Sequence, residues 1–84
     1  MNWHKVLKNI YHKLELSGFQ VIKDDIHEGQ LSGGTSGEIF SIVLSKLLEI
    51  KRSNKEVYQL VEIEIEEFIR YAKSINYLGK DFIE

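Results

Sequence analysis

Glycine and hydroxyl residues are concentrated in one short segment, and its composition is the best suited to chemistry in this chain. Four of the six glycines fall between positions 29 and 37, just ahead of a strongly apolar segment. A glycine-rich loop before a helix N-terminus is suited to binding anions, because free N–H groups and the helix dipole point outward. One hypothesis is therefore a small-ligand or anion site made by Gly33, Gly34, Thr35, Ser36 and Gly37.

The same loop has two features that disfavour a phosphate site. No lysine follows its last glycine, so the spacing of a P-loop is missing. Thr35 and Glu38 have the spacing of a capping box, in which each side chain satisfies a free N–H at the helix start. The Glu38 carboxylate would then occupy the place of the anion. The alternatives are a flexible loop with an ordinary cap and a close approach of a partner's backbone.

Potential metal ligands are grouped only at Asp24, Asp25, His27 and Glu28. A metal site needs three or four ligands on a rigid frame, whereas these residues share one short polar stretch. We expect a solvated turn and no metal. The chain has no cysteine and no G-x-S-x-G sequence around its serines, so two common kinds of nucleophile are missing. The sequence predicts no cofactor and no enzymatic activity.

Charge and hydropathy set limits on the partners. The net charge is −2, without the basic excess that a nucleic acid requires. The longest aliphatic run is Ile42-Val43-Leu44, so we expect no membrane span and a cytoplasmic protein of bacterial type. Residues 1–14 carry three lysines and no acid, whereas residues 56–67 carry five glutamates and no base. This asymmetry favours packing of the two segments against each other or against a second copy.

Apolar residues recur at helical spacing in three segments of a single predicted domain, residues 1–84. We expect helices at about 2–17, 36–52 and 54–77, followed by a tail at 78–84. Caps are predicted at Asn2 and Thr35, with a second capping box from Ser53 to Glu56, and Gly18 has the position of a C′ glycine at the end of the first helix. The fold class is mostly α, a three-helix antiparallel arrangement. The predicted core is Leu7, Ile10, Leu14, Ile39, Val43, Leu47, Val61, Ile65, Phe68 and Ala72.

The connection between the first two helices, residues 18–35, is long for a loop without structure. Its start alternates like a short strand, from Phe19 to Lys23, and residues 27–32 would supply the second strand. A small β-hairpin is one prediction for this connection. An ordered glycine-rich loop is the other.

The last predicted helix is the expected interaction surface. At 1.5 Å per residue it would be about 35 Å long, longer than the diameter of an 84-residue globule, about 30 Å. Its end would overhang the other helices, and Ile63 also points away from its core side. The sequence therefore predicts a non-catalytic interaction module that forms a two-fold homodimer, with a different protein as a second possible partner. The predicted interface residues are Ile63, Tyr71, Ile75, Tyr77, Leu78 and Phe82.

Overall fold

The computed structural model describes residues 2–75, and this part of the chain is almost entirely helical. The predicted mostly-α class is confirmed. The predicted three-helix arrangement is not, because the described residues form five helices joined by short connections. These helices are α1 (Trp3–Leu16), α2 (Gln20–Ser32), α3 (Ser36–Ser53), α4 (Lys55–Leu60) and α5 (Glu62–Ser74).

The first helix has the predicted cap at each end. The Asn2 side chain accepts a hydrogen bond from the Lys5 N–H, which satisfies one of the free donors of the first turn. Gly18 ends the helix with a φ of +82°, a conformation that glycine adopts without strain. The buried side of α1 carries Val6, Leu7, Ile10 and Leu14.

The predicted β-hairpin is not confirmed, because residues Gln20–Ser32 form α2. Phe19, Ile22 and Ile26 are spaced by 3 and 4 residues, so a helix brings all three to the core side. The apparent alternation of a strand was misleading at Val21, whose side chain is 82% exposed. Three inward side chains suffice here because α2 covers the flank of α3.

Gly29 allows α2 to approach α3 closely. A Cβ atom added to Gly29 would lie 2.9 Å from Ile42 Cγ2 and 2.5 Å from Lys46 Cε, both on α3. Such distances leave no room for a side chain, so the two helices are in contact at the glycine backbone. The contact fixes α2 against the middle of α3.

The third predicted helix, residues 54–77, is divided at Val61 into α4 and α5. Val61 has φ −118° and ψ 25°, and its N–H is shared between the Val57 and Tyr58 carbonyls at 3.2 Å each. The N-cap of α4 is Asn54 and not the predicted Ser53, since the Asn54 side chain accepts a hydrogen bond from the Val57 N–H. The 13 residues of α5 extend only about 20 Å at the helical rise, so the expected overhang does not arise within the described residues.

The helices pack around a core with an aromatic end. Near the start of α1, Trp3 packs edge-on against Phe40 of α3 and Phe68 of α5. Near the end of α1, Lys13 pairs with Glu64 in the first turn of α5. Nine of the ten predicted core residues are buried; Ile39 is only partly buried, and Ile26 of α2 is an unpredicted member. No helix within residues 2–75 has the length and apolar character to cross a membrane.

Candidate functional site

The N–H groups of the glycine-rich loop are already engaged by a carboxylate of the same chain. Glu38 Oε1 accepts hydrogen bonds from the backbone N–H groups of Gly34 and Thr35, at 3.2 Å each. The Glu38 N–H in turn donates to Thr35 Oγ1 at 3.2 Å, which completes the predicted capping box. An external anion would have to displace this carboxylate. The remaining candidates of the loop, Ser36 and Gly37, lie in the first turn of α3.

Gly33 serves the packing of this loop. A Cβ at Gly33 would lie 2.9 Å from the Ile39 backbone nitrogen and 2.6 Å from Ile39 Cγ1. Because backbone atoms move less easily than a side-chain tip, the loop cannot accommodate a methyl group without shifting α2 against α3. The close approach to Ile39 accounts for a glycine at this position.

We therefore expect Gly33→Ala to lower the free energy of unfolding by about 1–3 kcal/mol, the range of overpacked sites. Gly37→Ala is the matched control, because its Cβ would have only Thr35 Oγ1 nearby, at 3.9 Å. Urea denaturation followed by circular dichroism measures both. Equal stability of the two variants would contradict the packing role of Gly33.

The candidate metal ligands of α2 are directed to different neighbours, and Asp24 Oδ1 accepts from Gln20 Nε2 at 3.0 Å. Asp25 Oδ1 lies 3.2 Å from Lys46 Nζ on α3. The His27 ring instead meets the edge of the Tyr11 ring on α1, with centroids 5.7 Å apart. Glu28 is exposed. Within residues 2–75, no group of three or more His, Asp or Glu side chains is placed to hold a metal ion.

The contact between α1 and α2 also involves a half-buried phenol. The Tyr11 hydroxyl donates to Gln30 Oε1 at 2.8 Å. Burial of the ring raises the pKa of Tyr11 to about 12. The phenol is therefore a neutral donor at physiological pH, and its contacts hold two helices together.

A polar cluster joins α3, α4 and α5 across the break at Val61. Glu66 Oε2 accepts from Lys51 Nζ at 2.8 Å and from the Tyr58 hydroxyl at 2.6 Å. The Lys51 ammonium, followed by the Tyr58 hydroxyl, lowers the pKa of Glu66. The same hydrogen bond to Glu66 is the main reason that the pKa of Tyr58 rises to about 12. The cluster fixes the direction in which α5 leaves α4.

This cluster makes stability depend on pH. The folded state lowers the pKa of Glu66, so its stabilisation is present above the carboxyl's unfolded pKa and is lost as the pH falls through the folded value. We expect the melting temperature of the wild type to fall more steeply than that of Glu66→Gln between about pH 5 and pH 3. Glu28→Gln, an exposed site on α2, is the control. Parallel profiles for wild type and Glu66→Gln would contradict the account.

A second carboxylate is nearly inaccessible to solvent. The Glu64 side chain is 8% exposed, and its Oε2 lies 2.8 Å from Lys13 Nζ. Its other oxygen, Oε1, is buried and has no hydrogen-bond partner among the described residues. The charge asymmetry of the sequence favoured packing of residues 1–14 against residues 56–67, and this ion pair joins the two segments; the burial of Glu64 was not predicted. Glu64 lies three residues after buried Val61, and this spacing was the available signal that its side chain is on the buried side of the helix.

Exposed apolar side chains remain on α5 and at its end. Ile63 is 69% exposed and Ile75 is 47% exposed, whereas Tyr71 is half-buried against Phe40. A hollow of about 270 Å³ lies along α5, lined by Glu67, Arg70, Tyr71 and Ser74. The other predicted interface residues, Tyr77, Leu78 and Phe82, lie outside the described residues.

A larger open groove lies between α2 and the second half of α3. Its volume is about 650 Å³, and its lining is mixed, from the exposed Val21 to the Asp25–Lys46 ion pair. The sequence did not predict this groove, because α2 was not predicted as a helix. The Asp25 and Lys46 charges of its lining pair with each other, and the Glu49 carboxylate accepts from the Ser53 hydroxyl at 2.8 Å, so the lining selects no ligand class.

Comparison with known proteins assigns no function to these sites. No family model, curated protein or solved structure matches the chain. A proposal for the function therefore depends on the described residues alone.

Proposed function

We propose that this protein is a non-catalytic interaction module that associates with a second copy of itself through α5. The observation that carries the proposal is the exposure of Ile63 on α5 and of Ile75 just beyond its end, while the core side of this helix is buried. Exposed apolar side chains surrounded by polar residues are typical of protein contact surfaces. Half-buried Tyr71 adds an aromatic side chain to the same surface.

Association with a different protein through this surface is the second possibility. Binding of a small ligand or anion at the glycine-rich loop is less well supported, because Glu38 already accepts from the N–H groups of Gly34 and Thr35. The absence of a nucleic-acid partner and the cytoplasmic location stay predictions from the sequence.

Substitution of one exposed residue tests the surface. We expect Ile63→Asp to raise the dimer dissociation constant at least about tenfold, since a charge would be buried in an apolar contact. The matched control is Leu31→Asp, because Leu31 of α2 is also strongly exposed but lies on another helix. Sedimentation equilibrium measures both constants. Equal effects of the two substitutions would contradict the assignment of the interface to α5.

A further inference from the structure

The exposed side of α5 carries a stripe that begins with an isoleucine and is charged in its middle. Ile63, Glu67, Arg70 and Ser74 are separated by 4, 3 and 4 residues, which places them on one side of the helix. Ile75 follows Ser74 directly, just beyond the end of α5, and its N–H still bonds to the Tyr71 carbonyl at 3.1 Å. We call four of these side chains the α5 stripe: Ile63, Glu67, Arg70 and Ser74.

The α5 stripe is complementary to itself when two copies run antiparallel. A two-fold axis halfway between Glu67 and Arg70 places each Glu67 opposite Arg70 of the second copy. The same axis places Ile63 opposite Ser74 of the second copy, next to Ile75, because Ile63 and Ser74 have the same midpoint in the sequence as Glu67 and Arg70. A two-fold interface requires this kind of self-complementarity, in which each contact occurs twice. The axis repeats the Ile63 contact, so the apolar contacts lie on either side of the charges, about 16 Å apart.

The charges in the middle of the stripe are available for a partner. Within residues 2–75, neither Glu67 nor Arg70 forms an ion pair, whereas the neighbouring Glu64 and Glu66 pair with Lys13 and Lys51. The hollow lined by Glu67 and Arg70 leaves space for side chains of the second copy.

A parallel arrangement of the two helices would not use these charges. It would place Glu67 opposite Glu67 and Arg70 opposite Arg70, and the repulsion of like charges disfavours that arrangement.

We propose that a second copy of this chain binds to the α5 stripe in the antiparallel direction, with two reciprocal Glu67–Arg70 ion pairs between the copies. This inference rests on the proposed function and adds the register and the specificity of the contact. One helix of 13 residues on its copy makes an interface at the small end of the range for specific complexes. The dimer should therefore dissociate on dilution, and salt should weaken it because the ion pairs are at the surface.

Two single charge reversals in the full-length chain test the register. Arg70→Glu makes the middle of the stripe wholly acidic, and Glu67→Arg makes it wholly basic. Each variant alone places like charges opposite each other, so we expect at least a tenfold rise in its dimer dissociation constant. An equimolar mixture should recover dimerisation as a one-to-one heterodimer, because residues 67 and 70 of the two copies are then opposite in charge. Sedimentation equilibrium gives the constants, and native mass spectrometry identifies the heterodimer.

Two variants outside the stripe serve as charge-matched controls. Glu28→Arg on α2 and Lys8→Glu on α1 change the net charge by the same amounts at exposed positions. They should dimerise like the wild type, alone and mixed.

The outcomes separate the register from the proposed function. The antiparallel register would be overturned if Arg70→Glu and Glu67→Arg dimerised with wild-type affinity, or if their mixture did not recover dimerisation. In either case a dimeric wild type would leave the proposed function in place. A wild type that stays monomeric at every concentration would overturn both.

Discussion

Replacement of Phe68 by alanine is expected to lower the free energy of unfolding by about 3–5 kcal/mol, the range for a large aromatic side chain in a core. Phe68 is fully buried and stacks on Phe40, with centroids 5.7 Å apart and planes 12° from parallel. Trp3 also meets the Phe68 ring, at a centroid distance of 6.1 Å. The substitution therefore leaves a cavity where α1, α3 and α5 meet.

The loss is a large fraction of the total stability, about 4–13 kcal/mol for a chain of this length. Urea denaturation followed by the fluorescence of Trp3, the only tryptophan, measures it directly. Phe68→Leu retains part of the apolar volume and should lose less, which keeps the test informative if Phe68→Ala does not fold. Leu31→Ala, at an exposed position, should change stability by less than about 0.5 kcal/mol. A loss at Phe68 no larger than at Leu31 would contradict the described core.

Removal of Lys13 is expected to be the second most damaging substitution. In Lys13→Met, the Glu64 carboxylate loses its cation while its other oxygen already lacks a partner within the described residues. An unpaired buried charge costs about 3–5 kcal/mol when burial is complete. The Lys13 side chain is 39% exposed, so water offsets part of this loss and we expect about 2–3 kcal/mol.

Removal of Glu64, the other partner in the ion pair, should lower the stability less. In Glu64→Leu the Lys13 ammonium remains near the surface, where water solvates it, and the buried site receives an apolar side chain. Adding Glu64→Leu to Lys13→Met should therefore restore most of the stability lost in the single variant. A double-mutant cycle by thermal denaturation measures this coupling. Additive losses in the double variant would show that the two side chains do not interact.

Helices with a wide apolar side and a strong cap could be predicted from the sequence. The capping box of Thr35 and Glu38 fixed the start of α3, and Asn2 and Gly18 fixed the limits of α1. These signals are local, because each depends on residues within one turn of the helix end.

The second helix could not be predicted because its formation depends on a distant contact. Its core side has few apolar residues, mainly Ile22 and Ile26, and the sequence Val21-Ile22 also suits a strand. What stabilises α2 is its fit against α3 at Gly29, where there is no side chain to separate the helices. The sequence alone does not show which residues will meet that glycine.

The break at Val61 limited the prediction of the candidate site in a similar way. Val57, Val61 and Ile65 continue one apolar pattern across the break, and all three are fully buried. The direction of α5 depends instead on Tyr58 and Glu66, which are eight residues apart and meet only after folding. Exposure of Ile63 was predictable from its position on the helix. The charged middle of the α5 stripe was not.

The mass of the protein in solution tests the central claim, self-association through α5, most directly. Light scattering after gel filtration, over a tenfold range of concentration, should give a mass that rises from one chain toward two. In Ile63→Asp the mass should stay that of one chain over the same range. A wild-type mass of one chain at every concentration would contradict the account.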